Sequence, residues 1–190
     1  MPSKVNQVNM AGLDLIVNRL ITGKTKRADG EFTVSSDLDA GSVVGKRNVI
    51  NITDATRTLD ALESGSLVIL NKADGITITL PTLSAANVGV WYDFVVNTSI
   101  TSSAAKWSTG AQGVDWFIGG LVTADADGTT ESGFIVAGNG SSHDNISMNG
   151  TTTGGLIGTQ MRLTAISTTL WQVQGIMAAS GDTATPFATS

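Results

Sequence analysis

From residue 47 onward, apolar and polar residues alternate in short runs that are rich in β-branched and aromatic residues. Most joins between the runs contain Gly, Asn-Gly or Asp-Gly. A period of two places successive side chains on opposite faces of a strand, so each run predicts a short strand with one buried face. Strands at this spacing are typical of an antiparallel β-sandwich or jelly roll. The absence of an internal repeat disfavours a propeller or a solenoid. The clearest runs are RNVINIT, SLVIL, ITITLP, VGVWYDFVVN, DWFIGGLVT, NISMNG, TQMRLTAI and LWQVQGIM.

The last two runs predict a hairpin whose register follows from its apolar positions. A three-residue loop, 167–169, pairs Ala165 with Trp171 and Leu163 with Val173 and keeps the apolar residues on one face. A slip of one residue turns half of them toward water. Three-residue loops favour a left-handed residue, for which threonine is a poor choice. The pattern nevertheless predicts that Trp171 lies in the core.

A second hairpin is predicted around the stretch NKADG. A five-residue turn, 71–75, joins two alternating runs and pairs Leu70 with Ile76 and Val68 with Ile78. Its Asp-Gly dipeptide is a common turn signal.

Residues 1–46 differ in pattern from the remainder and are interpreted as an N-terminal arm. Apolar residues between positions 13 and 21 fall at helical spacing and predict one short helix. The following stretch, 24–46, shows little periodicity and predicts an extended chain with at most one short strand around Phe32–Val34. Such a segment buries too little apolar surface to offset its ordering entropy, so we expect it to order against a partner or the body. The predicted division is an arm, 1–46, and a β-sandwich body, 47–190.

The charge distribution bears on the class of partner. Residues 1–60 contain eight of the eleven Lys and Arg residues, whereas residues 61–190 contain three, against nine Asp and Glu. Nucleic-acid binding relies on Lys and Arg contacts to phosphate, so the acidic body argues against a nucleic-acid partner. No apolar run reaches the roughly 18 residues of a membrane helix, and no membrane partner is expected. The absence of cysteine excludes a disulfide framework and thiolate metal sites within this sequence.

Two polar stretches offer candidate chemistry. In SSHD, the only histidine, His143, stands between Ser142 and Asp144, but catalytic triads assemble from distant positions, and this stretch reads as a polar loop. In DADGTTE, Asp125 and Asp127 lie near Gly128, in a spacing that departs from the EF-hand pattern. A hairpin turn is the favoured interpretation, and the alternative is a structural calcium ion held by Asp125 and Asp127.

The tryptophans before the last hairpin could stack on sugar rings if their faces are exposed. Trp107, in AAKWSTGAQG, is the best candidate for exposure. Trp91 stands opposite the apolar face of its strand and beside Asp93, which suggests a subunit interface. The favoured interpretation places Trp91, Trp107 and Trp116 in core or interface positions, where aromatic residues dominate.

The second half of the chain resembles the capsid decoration (cement) proteins of tailed bacteriophages, across about residues 64–177. The resemblance rests on GITITLPTLSAANVGVWYDFVV and HDNISMNGTTTGGLIGTQMRLTAISTTLWQVQG. It implies a non-enzymatic virion protein without a cofactor that sits on the outer surface of the capsid. Its implied partners are the major capsid protein, whose subunit contacts it stabilises, and two further copies of itself in a homotrimer.

The arm is the part expected to contact the shell. It combines a basic cluster with one apolar helical face, and the cluster also fits a solvated helix end. The alternative function is a tail or fibre component, or a carbohydrate-binding β-sandwich, that recognises a host surface. The residues proposed for partner contact are Leu13, Ile16, Arg19, Leu20, Lys24, Lys26 and Arg27.

Overall fold

The structure is a computed structural model that describes residues 24–27, 30–33, 47–102, 104–125, 131–136 and 141–190. The chain divides into two compact units, Met1–Lys46 and Arg47–Ser190. In the first unit, strands β1 (Lys24–Arg27) and β2 (Gly30–Thr33) pair antiparallel. The expectation of at most one short strand in this stretch is therefore wrong. The pairing of Arg27 with Gly30 leaves a two-residue connection, 28–29, which is a common hairpin length that the expectation overlooked. The predicted helix between positions 13 and 21 lies outside the described residues.

The body, Arg47–Ser190, is an all-β sandwich of two sheets, which confirms the predicted fold class. The larger sheet has the strand order β10-β9-β13-β12-β7-β5-β3, and the smaller sheet has the order β14-β11-β8-β6-β4. A short 3₁₀ helix, Ala61–Glu63, is capped by Asp60. The strands are β3 (Val49–Ile52), β4 (Thr56–Thr58), β5 (Leu67–Leu70), β6 (Thr77–Thr79), β7 (Trp91–Val96), β8 (Ala105–Ser108), β9 (Trp116–Asp125), β10 (Glu131–Val136), β11 (Asn145–Met148), β12 (Gln160–Ala165), β13 (Leu170–Ala179) and β14 (Phe187–Ala188).

The first half of the body winds between the two sheets instead of folding into hairpins. Strands β3, β5 and β7 are parallel neighbours in the larger sheet, and β4, β6 and β8 are parallel neighbours in the smaller one. Both sheets are therefore mixed, and only part of the sandwich is antiparallel. The winding resembles a solenoid although the sequence contains no repeat. The hairpin predicted to pair Leu70 with Ile76 is wrong, because β5 and β6 belong to different sheets. Leu70 and Ile78 are both fully buried, one on each sheet.

The C-terminal hairpin of β12 and β13 has the predicted register. Ala165 pairs with Trp171 and Leu163 pairs with Val173. The Ile166 amide donates a hydrogen bond to the Leu170 carbonyl at 3.0 Å and closes the turn. Among the described residues no non-glycine residue has a positive φ, so the loop needs no left-handed threonine. Trp171 is 0% exposed, as predicted.

Large aromatic side chains fill the space between the sheets. Trp107 is 1% exposed and meets the Phe94 ring edge-on, with 5.9 Å between ring centroids. Tyr92 and Trp171 lie 6.2 Å apart by the same measure. The favoured placement of Trp107 in the core is confirmed, and the alternative of an exposed ring is wrong, because β8 turns Trp107 inward and leaves its neighbour Lys106 in solvent. Trp107 is therefore a core residue and offers no platform for sugar stacking.

Candidate functional site

The outer face of the larger sheet carries two registered rows of side chains on three internal strands. In one row Gln174 of β13 stands opposite Arg162 of β12, which stands opposite Asp93 of β7. In the adjacent row Ile176 stands opposite Gln160, which in turn pairs with Val95 of β7. Alternation along each strand sends these residues outward while their neighbours fill the core. The sheet thereby fixes the spacing of polar groups that are distant in sequence.

An ionic cluster occupies this face. Arg162 donates from Nε to Oδ1 of Asp93 at 2.6 Å and from Nη2 to Oδ2 at 2.8 Å, which is a bidentate pair. Arg47 donates to Oδ2 of the same carboxylate. The hydrogen bonds from Arg162, followed by those from Arg47, hold the pKa of Asp93 below its ordinary value although partial burial opposes them. The same contact raises the pKa of Arg162. The cluster therefore stays ionised around neutral pH and carries a net positive charge.

Trp91 holds the two guanidinium groups in place. The guanidinium carbons of Arg47 and Arg162 lie 4.8 and 4.5 Å from its ring centroid. Cation–π contacts of this kind contribute about 0.5–1 kcal/mol each at exposed sites. Trp91 is partly buried and does face away from the core, as its position in the strand predicts. Its role at a subunit interface stays a prediction.

A groove of ≈ 590 Å³ lies over the cluster. Its walls combine charged, amide and apolar side chains from β5, β7, β12 and β13. The size falls within the range of small-ligand sites, about 300–1,000 Å³. The lining residues are Arg47, Leu67, Asp93, Phe94, Val95, Gln160, Met161, Arg162, Gln174, Gly175 and Ile176.

An exposed apolar strip continues from the groove toward the edge of the sheet. Ile176 is 55% exposed, Val122 beside it on β9 is 54% exposed, and Ile135 on the edge strand β10 is 83% exposed. Ile135 stands opposite Gly120, which has no side chain, so the strip is flat there. Contiguous exposed apolar side chains on a soluble protein mark interaction surfaces.

The acidic residues buried in the body have structural roles. Asp115 accepts a hydrogen bond from the Leu83 amide at 2.9 Å, and burial raises the pKa of its carboxyl group. Asp144 accepts from the Gly113 amide at 3.0 Å and from both the amide and the hydroxyl of Ser190 at 2.8 Å. These bonds fasten the loop before β9 and the C-terminal segment to the smaller sheet.

His143 lies beside the smaller sheet, shortly before β11. Its ring packs against Phe187 with 6.2 Å between centroids, and its carbonyl accepts from the Phe117 amide at 2.8 Å. The carboxylate of the adjacent Asp144 is bound by backbone and hydroxyl groups from other segments. The geometry agrees with a polar loop at this position.

The calcium hypothesis concerns residues that the structure covers only in part. Asp125 is buried at the end of β9, and Asp127 lies outside the described residues. Within the described ranges, no three His, Asp or Glu side chains come together as a metal site would require.

The residues proposed for partner contact fall in the first unit. Lys24, Lys26 and Arg27 lie on β1, whose backbone alone is described. The remaining four, Leu13, Ile16, Arg19 and Leu20, lie outside the described residues. Their role in binding stays a prediction. In the part of the chain that the structure describes, no helix has the length and apolar character needed to cross a membrane.

The Arg47–Asp93–Arg162 cluster was missed by reasoning from the sequence. Asp93 and Arg162 stand at polar positions of alternating strands, which is a signal only of an outward direction. Their meeting depends on the pairing of β7 with β12, and four other strands lie between these two along the chain. Asp93 and Arg162 are 69 residues apart in sequence. Comparison with protein-family models, with curated proteins and with solved structures returned no match.

Proposed function

We propose that this chain is a non-enzymatic virion structural protein, a capsid decoration protein that binds the outer capsid surface. It would stabilise contacts between subunits of the major capsid protein, as a homotrimer. The observation that carries the proposal is the outer face of the larger sheet. There, exposed Ile135, Val122 and Ile176 form a flat apolar strip beside a positively charged cluster.

This face has the features of a protein-docking surface. Interface cores are enriched in apolar and aromatic residues and in arginine. The strip supplies apolar area, and the arginines, held by Asp93 and Trp91, supply directional hydrogen bonds. Because the side chains of these strands are fixed in register, and only β10 among them is an edge strand, little conformational entropy is lost on binding.

The arm supports the same function from its composition. Residues 1–46 form a separate unit and contain the basic cluster Arg19, Lys24, Lys26 and Arg27. Lys and Arg residues attract acidic protein surfaces and increase the rate of encounter. An arm that orders on docking covers a large surface at an entropic cost that the new contacts must exceed.

The decisive experiment is binding to intact particles and to purified empty shells from the source lysate. Immunogold labelling spread evenly over the heads is expected, and labelling confined to tails would replace the proposal with a tail or fibre role. A chain that lacks residues 1–30 should stay folded by circular dichroism and lose shell binding.

The apolar strip is tested by the substitution Ile135→Asp. It should weaken shell binding at least about tenfold, because it places a charge in the buried centre of an interface. Val114→Asp is the matched control, since Val114 is also exposed but lies outside the strip. Equal binding by both variants would show that the strip is not the docking surface.

A further inference from the structure

The groove on the outer face concentrates positive charge within an acidic body. Residues 47–190 contain five Lys and Arg residues against eleven Asp and Glu. Arg57 pairs with Glu63, and Lys72 lies 3.5 Å from Asp74. At the groove, by contrast, two arginines share one carboxylate. The groove therefore attracts a negative charge although the body as a whole repels it.

The groove also has hydrogen-bonding capacity that the fold does not use. Asp93 occupies Nε and Nη2 of Arg162 and Nη2 of Arg47, while the other guanidinium N–H groups donate to no described residue. The side-chain amides of Gln160 and Gln174 likewise have no hydrogen-bond partner within the described ranges. A ligand that offers both a carboxylate and hydroxyl groups matches this set of donors and acceptors.

The backbone of the groove floor selects against an extended peptide. Peptides that add to a sheet do so at an open edge, where backbone groups are unpaired. Strands β7, β12 and β13 are internal, with hydrogen-bonded neighbours on both sides. A ligand in this groove must therefore bind through side chains alone. A saccharide meets that requirement, because its hydroxyl groups pair with Gln and Arg and its C–H surfaces pack on apolar residues such as Val95 and Ile176.

We propose that this groove binds an anionic saccharide, a sugar that carries a carboxylate. The sugar carboxylate accepts hydrogen bonds from the N–H groups of Arg47 and Arg162 that Asp93 leaves free, and the neighbouring hydroxyls bond to Gln160 and Gln174. The volume of ≈ 590 Å³ accommodates more than one sugar ring. Asp93 and Trp91 act as positioning residues that hold the arginines. This proposal does not rest on attachment to a capsid, although both partners would engage the same two arginines and would compete for them.

The test is isothermal titration of the full-length protein with trigalacturonic acid and sialyllactose. The neutral sugars galactotriose and lactose serve as matched ligands without the carboxylate. At least one acidic sugar should bind at least about tenfold more tightly than its neutral counterpart, because a charge-assisted bidentate contact is lost in the neutral sugar. Affinity should also fall as salt rises.

Variants locate the site. Arg47→Gln and Arg162→Gln should each weaken binding about tenfold or more, and Arg57→Gln, which removes the same charge elsewhere on the body, should leave it unchanged. Circular dichroism checks that each variant is folded. If Arg162→Gln proves unstable, Arg47→Gln alone tests the site, because Arg47 stands at the start of the body.

Three results would overturn the proposal. One is no binding of either acidic sugar at millimolar concentration. Another is equal affinity of the wild type and the Arg47→Gln variant for the sugar that binds. The third is binding of a polyglutamate peptide, in place of the sugars, that depends on Arg47 and Arg162, which would assign the groove to a protein partner.

Discussion

Replacing Trp107 with alanine tests the placement of this side chain in the core. Trp107 is 1% exposed and packs edge-on against Phe94. A buried tryptophan removes about 200 Å² from water, which at about 25 cal/mol per Å² corresponds to about 5 kcal/mol. Measured losses for truncations of this kind are about 3–5 kcal/mol. We expect Trp107→Ala to lower the free energy of unfolding by about 4 kcal/mol, a large share of the roughly 5–15 kcal/mol of a typical domain.

The assay is equilibrium unfolding in urea, followed by far-ultraviolet circular dichroism so that the loss of an indole does not disturb the signal. Trp91→Ala is the matched control, since its ring lies on the outer face and its main contacts are with two guanidinium groups. It should cost about 1–2 kcal/mol. If Trp107→Ala fails to fold, Trp107→Phe should still fold with a smaller loss.

The reasoning fails if Trp107→Ala costs less than about 1.5 kcal/mol, or no more than Trp91→Ala. Either result would mean that the Trp107 ring is solvated. The interpretation of Trp107 as a surface platform would then return.

Three further predictions concern backbone strain and buried charge. Gly150→Ala should destabilise the protein by more than about 2 kcal/mol in urea unfolding, because φ is 77° and the new Cβ would lie 1.8 Å from the Ile100 carbonyl oxygen. The control Gly113→Ala has a similar φ of 75° but open space around the new Cβ, and it should cost about 1 kcal/mol. Contacts with Arg162 lower the pKa of Asp93, so this pair stabilises the fold above about pH 4 and loses that effect on acidification. In the Arg162→Gln variant the melting temperature should therefore fall less steeply below pH 5 than in the wild type. An unchanged pH profile of the melting temperature would contradict the prediction. Burial raises the pKa of Asp115, so protonation of this carboxyl group stabilises the fold as pH falls toward about 4. The Asp115→Asn variant should lack this gain in its free energy of unfolding. A pH profile of unfolding identical to that of the wild type would count against the prediction.

The C-terminal hairpin shows what an alternating pattern can determine. The apolar positions of β12 and β13 share one face only if Ala165 pairs with Trp171, and the structure has that register. The burial of Trp171 follows from the same constraint, because a slip of one residue would expose it. Local information is sufficient here, since both strands and their loop lie within twenty residues.

The stretch around Asp74-Gly75 shows where the same reasoning fails. The alternation of β5 and β6 fits a hairpin, yet the two strands belong to different sheets. Leu70 and Ile78 are buried both in a hairpin and in strands of two different sheets, so the pattern of burial does not distinguish these two arrangements. The distinction comes from strand pairing: β3 and β7 occupy both edges of β5 as parallel partners, which leaves no edge for β6.

The candidate site depends still more on tertiary structure. Asp93 and Arg162 each stand at a polar position whose outward direction is predictable from the sequence. Their bidentate contact arises only because β7 and β12 are neighbours in the sheet. Arg47 reaches the same carboxylate from the start of the body.

The sequence by itself determined the fold class, the inward and outward faces of its clearest strands and the register of the last hairpin. These follow from short-range periodicity, because a buried face must be apolar at every second position. Only the tertiary structure decided which strands are neighbours, that Trp107 is buried, and that two arginines, one carboxylate and one indole form a charged groove. Strand order depends on long-range packing between segments, and a local pattern carries no record of the partner across the sheet.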